Sequence, residues 1–154
     1  MSKGSPISPS LMATKSTGAH KASERVDRPA DAGVDTAAVS PVLGPNNVDR
    51  PTYLFAEHKT HIVEALNDMG KALADIGVVG VLHQHTGTCV ETRDETYSTM
   101  EAVDTRVVKF GPDVGQLQKG GSDPVKVVKD FLPAVRHVHM KDFDGGPHLS
   151  LIHI

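Results

Sequence analysis

The chain has 154 residues, 38% of them hydrophobic and 4% aromatic, with 16 Lys and Arg against 19 Asp and Glu and a net charge of -3. That length suits one globular domain, and the absence of a basic surplus or of stacking rings argues against nucleic acid as a partner. No apolar run approaches the roughly 18 residues that cross a bilayer, and nothing resembles a secretory signal; the single cysteine, Cys89, can form no internal disulfide, so a cytoplasmic protein held by its core is expected.

Residues 1–50 carry five of the ten prolines and no aromatic residue, and their charges nearly balance. This composition predicts disorder or a non-native extension. From Pro51 the texture changes. Ile62, Leu66, Met69, Leu73 and Ile76 recur at spacings of four and three, the period of an amphipathic helix, and Gly77 follows as a left-handed cap. Val78 to Leu82 is a short apolar run, as expected of a strand buried on both faces of a parallel sheet, and His83, Gln84 and His85 stand at its end. A second unit follows, with a polar helix around Asp94 to Val103 and a strand at Arg106 to Phe110 that runs into Gly111, Pro112 and Asp113. The third starts at Ser122 or Asp123 with Pro124 as its first helical residue, passes Val127, Val128 and Phe131, breaks at Pro133, and leads to a strand at Val135 to Met140. Threefold alternation of helix and strand predicts an α/β fold with a parallel sheet, whose ligands sit at the carboxyl ends of the strands.

Those three ends carry His83 and His85 with Glu91 beyond, then Asp113, then His137 and His139 with Lys141 and Asp142. Imidazole and carboxylate together suit Mn²⁺, Co²⁺ or Zn²⁺, or Mg²⁺ where carboxylates dominate. Residues two apart in a strand share a face, which pairs His83 with His85 and His137 with His139. Plainer roles exist for each: Asp113 as a cap, Glu91 as a solvated residue of a first helical turn, Lys141 and Asp142 as a surface ion pair, and Cys89 as a small packing residue. Gly120 and Gly121 lack the rest of a phosphate-binding fingerprint. Three consecutive strand ends with such side chains favour the site.

At these residues the chain resembles the sugar phosphate isomerase/epimerase family of xylose-isomerase-like TIM barrels. The stretches that carry the resemblance are LHQHTGTCVETRDE (Leu82 to Glu95), KFGPDVGQLQKGGSDP (Lys109 to Pro124) and RHVHMKDFDGG (Arg136 to Gly146), preceded by RPTYLFAEHK (Arg50 to Lys59). The resemblance implies a divalent metal at the carboxyl-terminal mouth of the barrel, with Asp113 and His139 as ligands, His85 near the substrate and Lys141 in the adjoining loop. Where this chain has His83 many relatives place a metal-binding Glu, so either His83 or Glu91 takes that role. Where it has Gln116 relatives often carry His; Gln116 can bond a hydroxyl but is no base near neutral pH. The expected site is Asp113, His139 and Glu91 on the metal, Glu91, His85 and Lys141 in catalysis, and His83, Gln116 and His137 against the substrate.

A complete barrel takes about 250 residues and eight strands. The expectation is therefore a fragment: residues 51–148 as a partial (β/α)8 barrel holding strands five to seven, not closed, and 149–154 as a foreign tail. The implied activity is metal-dependent isomerisation or epimerisation of a small sugar or cyclitol through an enediolate, the alternatives being an inosose-type dehydratase or an inactive fragment. A DNA-repair nuclease on the same barrel would need a basic groove, which the charge balance does not supply. No membrane partner is expected, and a homo-oligomer is compatible with the fold.

Overall fold

The computed structural model describes residues 7–14, 35–43, 55–146 and 150–151. Strands β1 (Ile7–Thr14) and β2 (Thr36–Leu43) are antiparallel, and β2 then runs parallel to β3 (Val79–Leu82), which is parallel to β4 (Val108–Phe110). The segment after β4 extends the parallel order through two bridges, Phe110 to Val135 and Asp113 to His139. The three strands read from the sequence are thus parallel neighbours in chain order, in an open sheet.

Helix α1 (Phe55–Asp75) connects β2 to β3 and buries Ile62, Leu66 and Gly70 along the stripe expected from the spacing, with Met69 and Leu73 half-buried beside them. It ends as the glycine requires. Gly77 has φ 76°, and its N–H and that of Val78 bond the carbonyls of Ala74 and Leu73, closing the last turn. Helix α2 (Arg93–Met100) is entered through a capping box in which Thr92 and Glu95 satisfy each other's backbone N–H groups. Helix α4 (Pro124–Asp130) has Asp123 as its cap and Pro124 in its first turn, as predicted. Between the layers lie Val39, Ile62, Leu66, Leu82, Val90, Phe110, Leu117 and Val127, and Cys89 is fully buried among them as a packing residue.

Several expectations are corrected. Within residues 1–50 the structure describes β1 and β2, and Ala37, Ala38 and Val39 of β2 are buried. The rest of that stretch outside 7–14 and 35–43 lies beyond the described residues, as do 147–149 and 152–154. Ser150–Leu151 forms strand β6, antiparallel to β5 (Lys141–Asp142). The second strand starts at Val108 rather than Arg106, because the Asp104 carboxylate takes the N–H and guanidinium of Arg106 and holds a turn there. The third is reduced to its two bridges: Pro112, opposite it, has no N–H to continue the ladder. Asp113 caps α3 (Val114–Lys119), the plainer role named for it, and the helix forms with Gly115 inside it and Leu117 buried. The helical penalty of one glycine, about 1 kcal/mol, is smaller than the stabilisation a cap and a buried Leu contribute.

Candidate metal centre

The carboxyl ends of β3 and β4 and the segment beside β4 meet at one point. His83 follows β3, its N–H bonded to the Val39 carbonyl of β2 and its own carbonyl accepting from Ser40 Oγ at 2.6 Å. Asp113 follows Gly111 and Pro112. The side-chain amide of Gln84 donates to the Asp113 carbonyl at 3.0 Å and accepts from its N–H at 3.4 Å. His139 is docked by its N–H on the Pro112 carbonyl and by its carbonyl on the Val114 N–H. The main chain of all three strand ends is therefore pinned before any side chain is considered.

One nitrogen of His83, one nitrogen of His139 and one carboxylate oxygen of Asp113 lie within 4.8 Å of one another. His83 Nε2 and His139 Nδ1 are each 3.8 Å from Asp113 Oδ2. The other Asp113 oxygen, Oδ1, accepts the Gln116 N–H at 3.0 Å as the cap of α3, so the carboxylate cannot rotate freely. Lys141 Nζ stands 2.6 Å from Oδ2, yet Oδ2 makes no aligned hydrogen bond among the described residues. The Asp113 side chain is fully buried.

Burial pushes the His83 pKa down to about 4, against a smaller opposing effect of its bond to Gly111. The ring is neutral near pH 7. Its Nδ1 faces the Gly111 carbonyl at 3.1 Å and must carry the proton to donate there, which leaves the Nε2 lone pair directed at Oδ2. Burial, with the neighbouring His137, also lowers His139. A neutral lone pair and a carboxylate oxygen facing each other form an unfavourable juxtaposition that a cation would relieve. A backbone carbonyl fixing the tautomer of a ligating histidine is a common support for metal binding.

The remaining sequence candidates sit around this point. His85 lies beyond the end of β3 at Leu82, with its ring centroid 6.0 Å from that of His83. Its Nδ1–H donates to the Thr86 carbonyl at 2.8 Å, and its Nε2 lies 2.7 Å from the Gln116 amide nitrogen, which donates to it in that tautomer. Gln116 Oε1 in turn accepts from Thr86 Oγ1 at 2.6 Å. His137 packs edge-on against His139 with centroids 4.7 Å apart, and its buried Nε2 has no hydrogen bond among the described residues. Glu91 is not one of the three converging donors: its Oε2 accepts the Gly87 N–H at 2.7 Å. Of the two alternatives for the third donor, the structure brings His83 to the cluster. Gln84 and Ser40, which hold the frame, were not singled out by sequence reasoning; the position of Gln84 between two histidines was the available signal.

These pinned strand ends match a known architecture. The model of the xylose isomerase-like TIM barrel family matches residues 12–151. The chain belongs to the xylose isomerase-like TIM barrel family. Among curated relatives of this barrel family, an inosose dehydratase of Clostridium botulinum (strain Alaska E43 / Type E3) is 35% identical over 91 residues, 58% of this chain and 30% of the relative. One of Bacillus thuringiensis (strain Al Hakam) is 34% identical over 90 residues, with the same coverage. The chain thus spans about 30% of the length of these curated relatives. Among solved structures, the probable 3-DHS dehydratase AsbF from Bacillus anthracis superposes with a TM-score of 0.59 at 18% identity, over 74% of this chain and 40% of that one. A sugar phosphate isomerase/epimerase from Parabacteroides distasonis ATCC 8503 does so at 0.56 and 18%, over 77% and 44%. At that identity they share the fold. Among the described residues no helix is long and apolar enough to cross a membrane.

The His83 environment makes a prediction for the metal-free chain. Its folded pKa is below the ordinary 6.5, so its contribution to stability is fully present above pH 6.5 and is lost as pH falls toward 4. The loss should approach about 3 kcal/mol, from 1.36 kcal/mol per pKa unit. Urea unfolding at pH 7 and pH 4.5 should show a smaller drop for His83→Gln than for the wild type. Equal drops would remove His83 as the cause.

Proposed function

We propose that the protein removes the proton next to the carbonyl of a small polyhydroxylated substrate, a sugar or cyclitol, and that His83, Asp113 and His139 hold a divalent cation for this reaction. The convergence of these three donors within 4.8 Å carries the reading. The donor set fits such an ion: two imidazoles and a carboxylate suit Mn²⁺, Co²⁺ or Zn²⁺ better than Mg²⁺, and the unaligned Oδ2 has capacity for it. When bound, the cation supplies Lewis acidity to neighbouring substrate oxygens.

The side chains around the centre divide the remaining work. Lys141 brings a positive charge to the mouth, suited to a substrate oxygen on which negative charge develops. His85 and Glu91 are the candidates for moving the proton. In the present geometry the Nε2 lone pair of His85 is taken by Gln116, so His85 accepts a proton only once substrate has drawn the Gln116 amide away. Gln116 and His137 offer polar atoms to substrate hydroxyls, the buried Nε2 of His137 being satisfied by that contact. Proton return to the other carbon isomerises, return to the opposite face epimerises, and loss of a β-hydroxyl dehydrates.

Dehydration of an inosose is favoured over isomerisation or epimerisation by the relatives at 34–35% identity, which are inosose dehydratases. The reading includes a cytoplasmic address, since Cys89 is buried in the core and no disulfide is needed. The test is to incubate the protein and Mn²⁺ with an inosose and a panel of ketoses in deuterated water. An unsaturated ketone, seen by its ultraviolet absorbance, identifies dehydration. Deuterium at the carbon next to the carbonyl without that absorbance identifies isomerisation or epimerisation. Neither signal with any substrate would overturn the proposed chemistry.

A further inference from the structure

We propose that Lys141 is the resident cation of the centre: its ammonium balances Asp113 before a metal arrives, and must leave Oδ2 for the metal to bind. This rests on the metal-centre reading above and adds a residue that sets its affinity. The atom on which both histidine contacts converge is Asp113 Oδ2, and the same oxygen carries the Lys141 ammonium at 2.6 Å. A metal would sit about 2.0–2.2 Å from that oxygen. Ammonium and metal would then be two cations crowded on one buried oxygen, so they exclude each other.

The two Asp113 oxygens differ in a way that fits exchange. Oδ1 is locked by the Gln116 N–H, whereas the contact of Oδ2 with Lys141 is a contact of charges without hydrogen-bond alignment. The lysine can let go without moving the fold. Its backbone is anchored in β5, paired with Leu151 of β6, while the side chain retains 19% exposure and its flexible four-carbon stem allows the ammonium to relocate. Without Lys141, the metal-free site would hold a fully buried carboxylate facing two imidazoles and no positive charge.

The experiment compares the wild type with Lys141→Met, which keeps the stem and removes the charge, and Lys141→Arg, which keeps the charge. Thermal melting in chelator should show Lys141→Met several degrees less stable and Lys141→Arg close to wild type. Calorimetry with Mn²⁺ should show Lys141→Met binding at least about tenfold tighter, because no buried pair has to be broken, and Lys141→Arg binding no tighter than wild type. If Lys141→Met does not fold without metal, acetic anhydride labelling of the wild type, read by mass spectrometry, replaces it: Lys141 should react several times faster once Mn²⁺ is added. Mn²⁺ bound by the wild type with no tightening in Lys141→Met, or with unchanged Lys141 labelling, overturns this proposal alone. No Mn²⁺ uptake by any of the three chains overturns the metal centre with it.

Discussion

Replacing Asp113 by Asn is expected to weaken Mn²⁺ binding by more than about 100-fold, beyond what removal of a mere supporting partner of a ligand costs. The substitution is selective. Asn keeps an Oδ1 that can accept the Gln116 N–H and cap α3 as Asp does, so the helix start survives. What changes is the second atom. An N–H donor replaces the oxygen that faces His83 Nε2, His139 Nδ1 and the Lys141 ammonium, leaving two donors opposed and no negative charge at the centre. Removing one partner of a buried pair costs roughly 3–5 kcal/mol, and the partial exposure of Lys141 places this case below that range. Calorimetry and thermal melting would check both numbers. Affinity equal to wild type would remove Asp113 from the site.

Gly111→Ala is expected to damage the same centre from behind, with no charge altered. A Cβ at this position would stand 2.6 Å from Val81 Cγ2 and 3.1 Å from Val81 Cβ. Val81 is fully buried in β3 and cannot swing clear, so β3 and β4 must separate. The carbonyl of Gly111 holds the His83 tautomer, and its N–H bonds the Leu82 carbonyl, so both hydrogen bonds lengthen as the strands part. Overpacking of this kind costs typically 1–3 kcal/mol, and removing the hydrogen-bond support of a metal-ligating histidine weakens metal affinity about 10–100-fold. Val81→Ala in the same chain should restore part of the stability by removing the nearest methyl group. Normal stability and metal binding in Gly111→Ala alone would show that the strand pair tolerates the extra carbon.

Much of this was legible without coordinates because local rules govern it. The spacing of Ile62, Leu66, Met69 and Leu73 determined helix α1 and its buried stripe, Gly77 its end, and Asp123 with Pro124 the start of α4, each depending on residues a few positions away. The apolar run at Val78 to Leu82 and the polar residues after each strand determined a parallel α/β sheet with the candidate site residues at its carboxyl ends. Tertiary structure decided what depended on distant partners. Strand β2 mixes Ala, Ser and Pro with Val39, Val42 and Leu43 in no clear period, and it is paired with β1 and β3. That His83 joins Asp113 and His139 while Glu91 bonds Gly87 depends on which backbone groups lie nearby, since the Gly111 carbonyl orients one ring and the Gly87 N–H holds the other carboxylate. The pairing of Lys141 with Asp113 joins residues far apart in sequence, so spacing could place both at the mouth but only the packed strand ends could bring the ammonium onto Oδ2.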